Sequence, residues 1–466
     1  MNTNILIRFI KHLSLAVLLV IAFGCERDLN DLKPVTYPTN PEVFIDDFSA
    51  GLNYAAFGGS DPKAFSVDKE VTYNNSIQSM RFEVPDLNDP RGAYAGGVFY
   101  LETGRDLSGY DALTFWVKAS QAATINIVGF GNDLGESRYQ ASVSNLLVNT
   151  NWKKFIIPIP DPSKLKMERG MFFYSEGPEN DRGYTFWIDE VKFEKLGTIA
   201  HPQHAILNGE DRVESSFAGV SKAIDGLISI YNLPDGTNRA VNVTPAYFKF
   251  ISSDESVATV DDFGKVMIIG SDTAVITATM GGIAADGSLT IQSMGAYLNA
   301  PTPEHAPENV ISLFSDAYTN VPVDYYNGYW QPWQTTLSAD FEVNGDHVLN
   351  YTNFNFVGIQ FSSPTINATQ MTHLRVDMYI PNPINAGTVF KIQLVDFGAN
   401  GAPGGGDDTS FTLTFNSASL ISQDWKSFDI PLSSFTGLSS RAQLGQIIFE
   451  GTNLPNFYVD NIYFRK

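Results

Sequence analysis

Short runs in which apolar and polar residues alternate constrain the fold of this chain more than any other feature. The run 112–118 has an apolar side chain at every second position (Leu113, Phe115 and Val117), which is the period of a half-buried β-strand. Similar runs recur and are broken by Gly, Asn, Asp and Pro, and beyond residue 25 no long amphipathic helical stretch occurs. The pattern predicts an all-β protein built from β-sandwiches.

Two parts of the chain repeat one plan, because four segments recur in the same order. The matched pairs are 44–48 with 314–318, 127–132 with 394–399, 152–158 with 425–431, and 187–193 with 458–464. Trp152 and Trp425 begin the third pair and are predicted to be structural. The repeat predicts two diverged copies of one sandwich, over residues 41–196 and 294–466.

The segment between the two copies has a different character. Its stretch 252–261, followed by 264–266 and 273–279, resembles the bacterial Ig-like domain, group 2. The resemblance implies an Ig-like sandwich over residues 197–293 that acts mainly as a spacer.

The first 25 residues have the layout of a secretory signal. Arg8 and Lys11 precede the apolar run 13–24, which is too short to span a bilayer comfortably, and Cys25, the only cysteine, follows at once. The motif 22–25 resembles a bacterial lipoprotein lipobox. This resemblance implies a signal peptide over residues 1–24 and lipidation of Cys25. An ordinary secretory signal with an incidental cysteine is the alternative.

Residues 25–40 are acidic and contain Pro34 and Pro38, so we expect an extended linker from the lipidated cysteine. The acidic residues just after that cysteine resemble the surface-export signal of Bacteroidetes lipoproteins. This resemblance implies a protein that is anchored by lipid in the outer membrane and faces the cell exterior.

The charge balance excludes one class of partner. The formal net charge is -21 at pH 7, and a chain this acidic repels nucleic-acid phosphates, so we expect no nucleic-acid binding. A single cysteine that carries lipid leaves no disulfide to stabilise the fold. Calcium is then a candidate structural cofactor.

Four aspartates are candidate calcium ligands, Asp46 and Asp189 in the first copy and Asp316 and Asp460 in the second. In a jelly-roll sandwich the first and last strands pair side by side, which would bring the members of each pair together. Two carboxylates in apolar strands repel each other unless a cation or protons neutralise them. The alternative is that each aspartate caps a turn alone.

The segment 325–333 holds five aromatic residues in nine positions and lacks strand periodicity, so it is predicted to be a loop. Exposed aromatic side chains on a loop usually mark a binding surface. A sugar ring presents an axial C–H face that stacks on an aromatic ring. We therefore expect glycan contact from Tyr326, Tyr329, Trp330 and Trp333. The alternative is that one tryptophan plugs the end of the sandwich.

One predicted strand of the second copy supplies candidate polar partners. Arg375 and Asp377 lie on the face opposite its apolar residues, and their charge-assisted hydrogen bonds suit the recognition of hydroxyl groups. A solvated outer face is the alternative. Asp396 is a candidate for the same surface or a structural turn residue.

The first copy also contains candidate aromatic residues. Tyr54 lies near glycine-rich loops, and Trp116 lies off the apparent core face of its strand. They are candidates for a second sugar platform, with core packing the alternative for Trp116.

The two larger domains resemble carbohydrate-binding modules of the galactose-binding-like type. The second resembles a module of laminarinases and Bacteroidetes surface glycan-binding proteins, through segments 310–318, 351–359, 394–398 and 459–464. The resemblance implies three sandwiches in series (jelly-roll or galactose-binding-like, Ig-like, and jelly-roll again). It implies a β-glucan ligand, with laminarin-type β-1,3-glucan leading, and a Sus-like transporter and its lid lipoprotein as partners.

Catalysis is not expected. Hydrolysis of a glycosidic bond usually needs two carboxylates at a set separation. Family-16 laminarinases carry Glu-x-Asp-x-x-Glu, and the nearest string here, 187–192, lacks both glutamates at that spacing. The predicted function is non-catalytic binding of polysaccharide at the cell surface for uptake. A surface adhesin with an Ig-like stalk, and a glycoside hydrolase or its accessory, are the alternatives.

Overall fold

A computed structural model describes residues 36–466. The predictions for the signal peptide, for Cys25 and for most of the linker lie outside the described residues. The described chain is all-β, as predicted. It contains no α-helix, and its helical turns are 3-10 helices at Pro162–Lys164, Leu207–Gly209, Pro245–Tyr247, Pro307–Asn309, Ser417–Ser419 and Leu432–Ser434. None of the helical segments in this range has the length and apolar character needed to cross a bilayer.

The strands begin, in chain order, with β1 (Glu42–Ile45), β2 (Asp47–Phe48), β3 (Leu52–Ala56), β4 (Phe65–Asp68), β5 (Ser79–Glu83), β6 (Ala95–Arg105), β7 (Ala112–Ala119), β8 (Ala123–Phe130), β9 (Ala141–Val148), β10 (Lys153–Pro158), β11 (Glu168–Glu176), β12 (Thr185–Glu194), β13 (Ala200–Ala205), β14 (Asp211–Ala218), β15 (Ser221–Ala223), β16 (Ile228–Asn232) and β17 (Asn238–Val243). They continue with β18 (Lys249–Ser252), β19 (Ala258–Val260), β20 (Lys265–Ile268), β21 (Ser271–Met280), β22 (Ile283–Asp286), β23 (Ser288–Ala296), β24 (Val310–Phe314), β25 (Asp340–Val343), β26 (Asp346–Thr352), β27 (Phe356–Gln360), β28 (His373–Tyr379), β29 (Val389–Asp396), β30 (Thr409–Asn416), β31 (Trp425–Pro431), β32 (Leu444–Thr452) and β33 (Asn456–Arg465).

The chain divides into two compact units. The first extends to Pro202 and also contains Ile230–Tyr247, and the second contains Gln203–Ser229 and Phe248–Lys466. The three predicted domains, 41–196, 197–293 and 294–466, stay a prediction. Part of the segment predicted to be Ig-like thus clusters with the first unit.

The first unit is a sandwich of two sheets. One sheet has the strand order β10-β7-β12-β1-β2, with β5 beside β12 and β4 beside β5, and the other has the order β17-β9-β8-β11-β6-β3. Buried phenylalanines join them, since Phe172 of β11 lies 5.8 Å from Phe115 of β7, ring centre to ring centre. The inward set predicted for β7 is confirmed, because Leu113, Phe115 and Val117 are all buried; Thr114, on the other face, is buried as well.

The second unit contains a second sandwich. Its sheets have the orders β25-β26-β33-β28-β31, with β24 beside β33, and β27-β32-β29-β30. Apolar side chains from both sheets fill the space between them, among them Val357, Leu374, Val376 and Phe449. The other strands of this unit include the sheet β14-β23-β21-β22, with β18 beside β21, and the sheet β15-β20-β19.

The two sandwiches share one topology. The order β10-β7-β12-β1 corresponds to β31-β28-β33-β24, and β9-β8-β11-β6 corresponds to β30-β29-β32-β27. Each pair of repeated sequence segments lies at corresponding strands. The copies differ at single positions, because the cross-strand neighbour of Asp189 is Trp116 whereas that of Asp460 is Asp377.

One face of the second sandwich is covered within its own unit. Phe217 of β14 packs against Tyr458 and Tyr379, with ring centres 5.2 and 5.6 Å away. The indole Nε1 of Trp425 donates a hydrogen bond of 2.6 Å to the carbonyl of Leu298. The outer face of the β28-β33 sheet is therefore a packing surface, and Trp425 is structural.

Candidate functional site

The outer face of the sheet β27-β32-β29-β30 is the best-formed candidate surface. Successive side chains of a strand point to opposite faces, so Val357 and Ile359 enter the core while Phe356, Gly358 and Gln360 point outward. The strand pairing carries this face across the sheet to the outward residues Gln446, Ile448 and Glu450 of β32, Lys391, Gln393 and Val395 of β29, and Ser410, Thr412 and Thr414 of β30.

Trp330 lies against this face at Gly358. A Cβ atom at Gly358 would collide with the six-membered ring of Trp330, so the indole rests on the sheet only where a side chain is missing. Its Nε1 donates to Tyr325 Oη at 3.3 Å, and its ring centre lies 6.1 Å from that of Phe356. The indole is therefore held in one position beside a strand rather than in the core.

Buried amides fix the loop that carries Trp330. Gln334 Oε1 accepts a hydrogen bond of 3.1 Å from the Trp330 backbone, and Gln334 Nε2 donates to Asn327 Oδ1 at 2.5 Å. Asn327 in turn donates to the carbonyl of Ser338 at 2.7 Å. Because these amides are buried and paired, the loop is a rigid support for the indole.

Amide side chains form a hydrogen-bonded row beside the indole. Gln360 Oε1 accepts from Tyr325 Oη at 2.7 Å and from Gln446 Nε2 at 2.8 Å, and Gln360 Nε2 donates to Ser362 Oγ at 2.9 Å. Further along the sheet, Gln393 Nε2 donates to Ser410 Oγ at 3.3 Å. These contacts fix polar groups next to an aromatic face, which suits a ligand with an apolar face and a hydroxylated edge.

This face offers one carboxylate among the outward side chains of its four strands. Glu450 is paired with Lys391, with 2.6 Å between Oε1 and Nζ. A pair of carboxylates flanking a glycosidic bond is thus not available from these strands. The arrangement can stack and hydrogen-bond a sugar chain, and it offers no acid–base pair.

The predicted aromatic residues of the loop fall into two groups. Trp333 and Tyr329 are exposed, at 74% and 50% of their surface. Tyr326 is half-buried, donates to the carbonyl of Leu313 at 2.9 Å and packs edge-on against Phe314. Trp330 and the two exposed residues remain ligand candidates, whereas Tyr326 supports the core.

The structure does not bring Arg375 and Asp377 to the Trp330 face. They lie on β28, in the opposite sheet. Arg375 Nε donates to Asp377 Oδ1 at 2.7 Å, and the fully buried Asp377 also accepts from Asn461 at 3.0 Å. Asp396 is also buried and accepts from the backbone N–H groups of Gly398 and Gln443. Of the two roles predicted for Asp396, the structure therefore agrees with the second, that of a structural turn residue.

The structure also separates Tyr54 from Trp116. Tyr54, on β3, packs against Phe65 and Phe99, and its hydroxyl lies 2.9 Å from that of Tyr174. Trp116, on β7 of the other sheet, stacks on Tyr73 with ring centres 4.0 Å apart. These two residues therefore do not form one platform. On the face opposite to Tyr54, a Cβ atom at Gly96 would collide with the ring of Tyr94, with Phe57 next to it.

The predicted pairing of Asp46 with Asp189 is present, and hydrogen-bond donors surround it. Ser76 Oγ lies 2.7 Å from an oxygen of Asp46 and 3.3 Å from one of Asp189. Backbone N–H groups of Ile77 and Tyr73 donate to Asp46 and Asp189, respectively. The bond from Ile77 lowers the pKa of Asp46, whereas burial raises the pKa of Asp189. Hydrogen bonds from Ser76, Ile77 and Tyr73 therefore stabilise the two carboxylates, and calcium at this pair stays a prediction.

The second pair, Asp316 and Asp460, includes a further carboxylate that the sequence did not indicate. Burial raises the pKa of Asp460 to about 7, and the charges of Asp346, Asp377 and Asp316 add to the shift. Burial likewise raises the pKa of Asp346. Oxygen ligands and crowded negative charge suit calcium chemically. Within residues 36–466, however, no group of three or more His, Cys, Asp or Glu side chains has metal-holding geometry.

The residues that sequence reasoning missed lie on strands rather than loops. Gln360, Gln393 and Gln446 belong to strands whose alternate residues are buried. Polar residues at the outward positions of three apolar strands were the available signal. Only the sheet pairing shows that they lie side by side.

Comparison with known proteins gives one family match. Residues 44–195 match the family model of Carbohydrate binding domain 30, which is less than half of the chain. No curated protein matches the chain. The match covers the first sandwich and supports a carbohydrate-binding protein.

Several solved structures are similar to parts of the chain. A family 11 carbohydrate-binding module from Clostridium thermocellum, in complex with a β-1,3-1,4-mixed-linked tetrasaccharide, is 16% identical and covers 34% of this chain and 96% of the module, with a TM-score of 0.24. The family 30 module of a cellulosomal cellulase of Clostridium thermocellum is 18% identical, over 34% of this chain and 95% of the module, with a TM-score of 0.22. A β-1,2-glucanase from Parabacteroides distasonis is 9% identical, over 56% of this chain and 40% of the glucanase, with a TM-score of 0.24.

The raised pKa of Asp460 predicts a pH-dependent effect of Asp460→Asn. The folded chain keeps a proton that the unfolded chain releases, so the free energy of unfolding falls as the pH rises from 3.8, the unperturbed value, to about 7. Asp460→Asn removes this loss. In calcium-free buffer, we expect the melting temperature of the variant, relative to the unmodified protein, to rise between about pH 4 and pH 8.

Asp429→Asn is the matched control with the opposite sign. Burial raises the pKa of Asp429, but the hydrogen bonds and charge of Arg465 outweigh it and lower the pKa overall. The stability that the charged Asp429 side chain adds is present above the pKa it has in the unfolded chain, and it is lost in acid. The relative stability of this variant should fall as the pH rises, and equal slopes for the two variants would contradict the assignment.

Proposed function

We propose that this chain binds a polysaccharide without cleaving it, and that the outer face of the sheet β27-β32-β29-β30 is the binding surface. The observation that carries the proposal is the indole of Trp330 held against Gly358 beside the row of Gln360 and Gln446. An aromatic face stacks on the C–H face of a sugar ring, while fixed amides bond its hydroxyl groups. The family match of the first sandwich supports the same class of ligand.

We propose β-glucan as the ligand class, with laminarin-type β-1,3-glucan as the first candidate. The support is the resemblance of residues 310–318, 351–359 and 459–464 to modules of laminarinases and surface glycan-binding proteins. The proposal places the chain at the outer face of the outer membrane, lipid-anchored through Cys25, beside a Sus-like transporter and its lid lipoprotein. In this setting the protein retains glucan for uptake.

The binding proposal predicts a loss of affinity for Trp330→Ala. Removing the indole takes away the stacking surface, so we expect affinity for laminarin to fall about tenfold or more, equivalent to about 1.4 kcal/mol. Isothermal titration and affinity gel electrophoresis measure this change. Trp333→Ala tests whether the exposed neighbour shares the ligand, and Ile283→Ala, in another sheet, is the control. If neither tryptophan variant loses affinity, the platform is wrong.

The amide row predicts a second, separable effect. Gln360→Ala removes the acceptor shared by Tyr325 and Gln446, so we expect laminarin affinity to fall several-fold, with a melting temperature close to that of the unmodified protein. Gln292→Ala, an exposed glutamine on β23, is the matched control. If Gln360→Ala kept full affinity for laminarin, the amide row would not be part of the binding surface. A reducing-sugar assay on the same samples tests for hydrolysis, and none is expected.

We further propose that a structural calcium ion binds at Asp316 and Asp460, with backbone carbonyl oxygens as its other ligands. The support is the negative charge crowded around Asp460, since the charges of Asp346, Asp377 and Asp316 add to the effect of burial on its pKa. Calcium should raise the melting temperature and EDTA should reverse the rise. The effect should be larger at pH 8 than at pH 5, because the ligands must be deprotonated. Asp460→Asn should abolish it, and a melting temperature indifferent to calcium in the unmodified protein would contradict the site.

A further inference from the structure

One edge of the first sandwich is covered by a strand from later in the chain. β17 pairs antiparallel with β9, where Asn242 faces Ser142 and Val243 faces Ala141. The following residue, Thr244, donates from its backbone to Gln140 at 3.1 Å and from its hydroxyl to Arg138 at 2.6 Å. The segment Ile230–Tyr247 belongs to the same compact unit as the strands it covers.

Apolar side chains of both strands are buried in this part of the unit. Val241 and Val243 of β17 are buried, and so are Val143, Leu146 and Val148 of β9. Behind them, Arg239 of β17 lies over the ring of Phe155 on β10, at 5.8 Å from the ring centre. The strand therefore lies at the opening between β9 and β10, which without β17 would be the edge strands of the two sheets.

The second sandwich has the same opening without such a strand. β30 and β31 correspond to β9 and β10, and in the part of the chain that the structure describes each pairs on one side only, β30 with β29 and β31 with β28. Between them runs a groove of about 490 Å³, lined by apolar side chains (Leu413, Phe415, Phe428 and Ile430) with Lys426 and Asp429 beside them.

The inward side chains of β30 show the difference directly. Phe411, Leu413 and Phe415 are only half-buried, although they pack against the core. By contrast, Leu146 and Val148, which take the places of Leu413 and Phe415 in β9, are buried. Phe415 reaches the core through Phe428, with ring centres 4.6 Å apart. In the first copy Arg239 of β17 covers Phe155, the residue that takes the place of Phe428, whereas Phe428 faces the open groove.

The edge also lacks the usual protection against pairing. Proteins block exposed edge strands with charged residues, Pro, bulges or short length. β30 is eight residues long, contains no charged residue and no Pro, and pairs with β29 in unbroken register from Val389–Asn416 to Asp396–Thr409. At the start of the strand Ser439 donates to Thr409 and Gly437 lies against Phe411, so the outer backbone groups open to another strand are those of residues 412–416.

We propose that the β30 edge of the second sandwich binds an extended polypeptide segment of a partner protein by β-strand addition. The segment would pair antiparallel with β30, as β17 does with β9, and place alternate apolar side chains in the groove between Leu413 and Phe428. Polypeptide is the favoured occupant because the groove offers unpaired backbone groups and apolar walls, and because polypeptide fills the same place in the first copy. The proposal does not depend on glycan binding at the opposite face of β30.

The test uses a peptide with the sequence of residues 237–244, the chain's own edge-covering strand. The peptide is added at millimolar concentration to the chain lacking its first 25 residues, and hydrogen exchange is followed by mass spectrometry. We expect exchange of the amides in Thr409–Asn416 to slow at least twofold. A peptide with Asp at the two valine positions, 241 and 243, should give no protection, and this control leaves the protein unchanged.

A protein variant gives the second arm. Leu413→Lys places a charge in the groove and should abolish the protection, whereas Ile421→Lys, an exposed apolar residue outside the groove lining, should retain it. The proposal is overturned by no protection of β30, by protection confined to Ala141–Val148, or by equal protection from the Asp peptide. Concentration-dependent dimerisation that Leu413→Lys abolishes, seen by light scattering without peptide, would assign the edge to a second copy instead and would also overturn it.

Discussion

The alternation of side chains along β27, β32 and β29 is the constraint on which the candidate site depends. Each strand gives every second residue to the core, and Val357, Ile359 and Phe449 commit the sheet to one orientation. The outward positions are then fixed in space without needing apolar character. Gly358 is the decisive one, because a residue with any side chain would lift the indole of Trp330 off the sheet. A rigid sheet thus supplies the precision that an aromatic loop alone would lack.

Because the two sandwiches share one topology, residues at equivalent positions can be compared, and the surroundings of their closing-strand aspartates differ. Asp189 and Asp460 lie at matched places in their closing strands, but Asp189 has Trp116 across the ladder and Asp460 has Asp377. Backbone donors surround the first carboxylate, whereas like charges surround the second. Two differences on neighbouring strands, Asp377 in the place of Trp116 and the added carboxylate of Asp346, therefore separate a hydrogen-bonded aspartate from a crowded acidic cluster.

The strands and the repeat could be predicted from the sequence because both depend on the local pattern of apolar and polar residues. The period of Leu113, Phe115 and Val117 predicts burial without knowledge of any partner strand. The meeting of Asp46 with Asp189 also followed, since first and last strands pair in this topology. Arg375 was associated with Trp330 because both lie in one domain, but which sheet a strand joins is decided by pairing with distant residues. The segment Ile230–Tyr247 belongs to the first unit for the same reason, since its contacts are with residues far away in the sequence.

The two copies also differ in which surfaces their own units cover. Phe217 and the carbonyl of Leu298 cover the outer face of β33-β28-β31, so aromatic residues there serve packing. In the first copy the edge is covered instead, by β17. What stays open on the second sandwich is its amide-lined face and the edge strand β30, whose outward hydroxyls belong to that face and whose inward side chains line the groove. One strand therefore borders two chemically distinct surfaces, polar on one side and apolar on the other, and pleating alone keeps them apart.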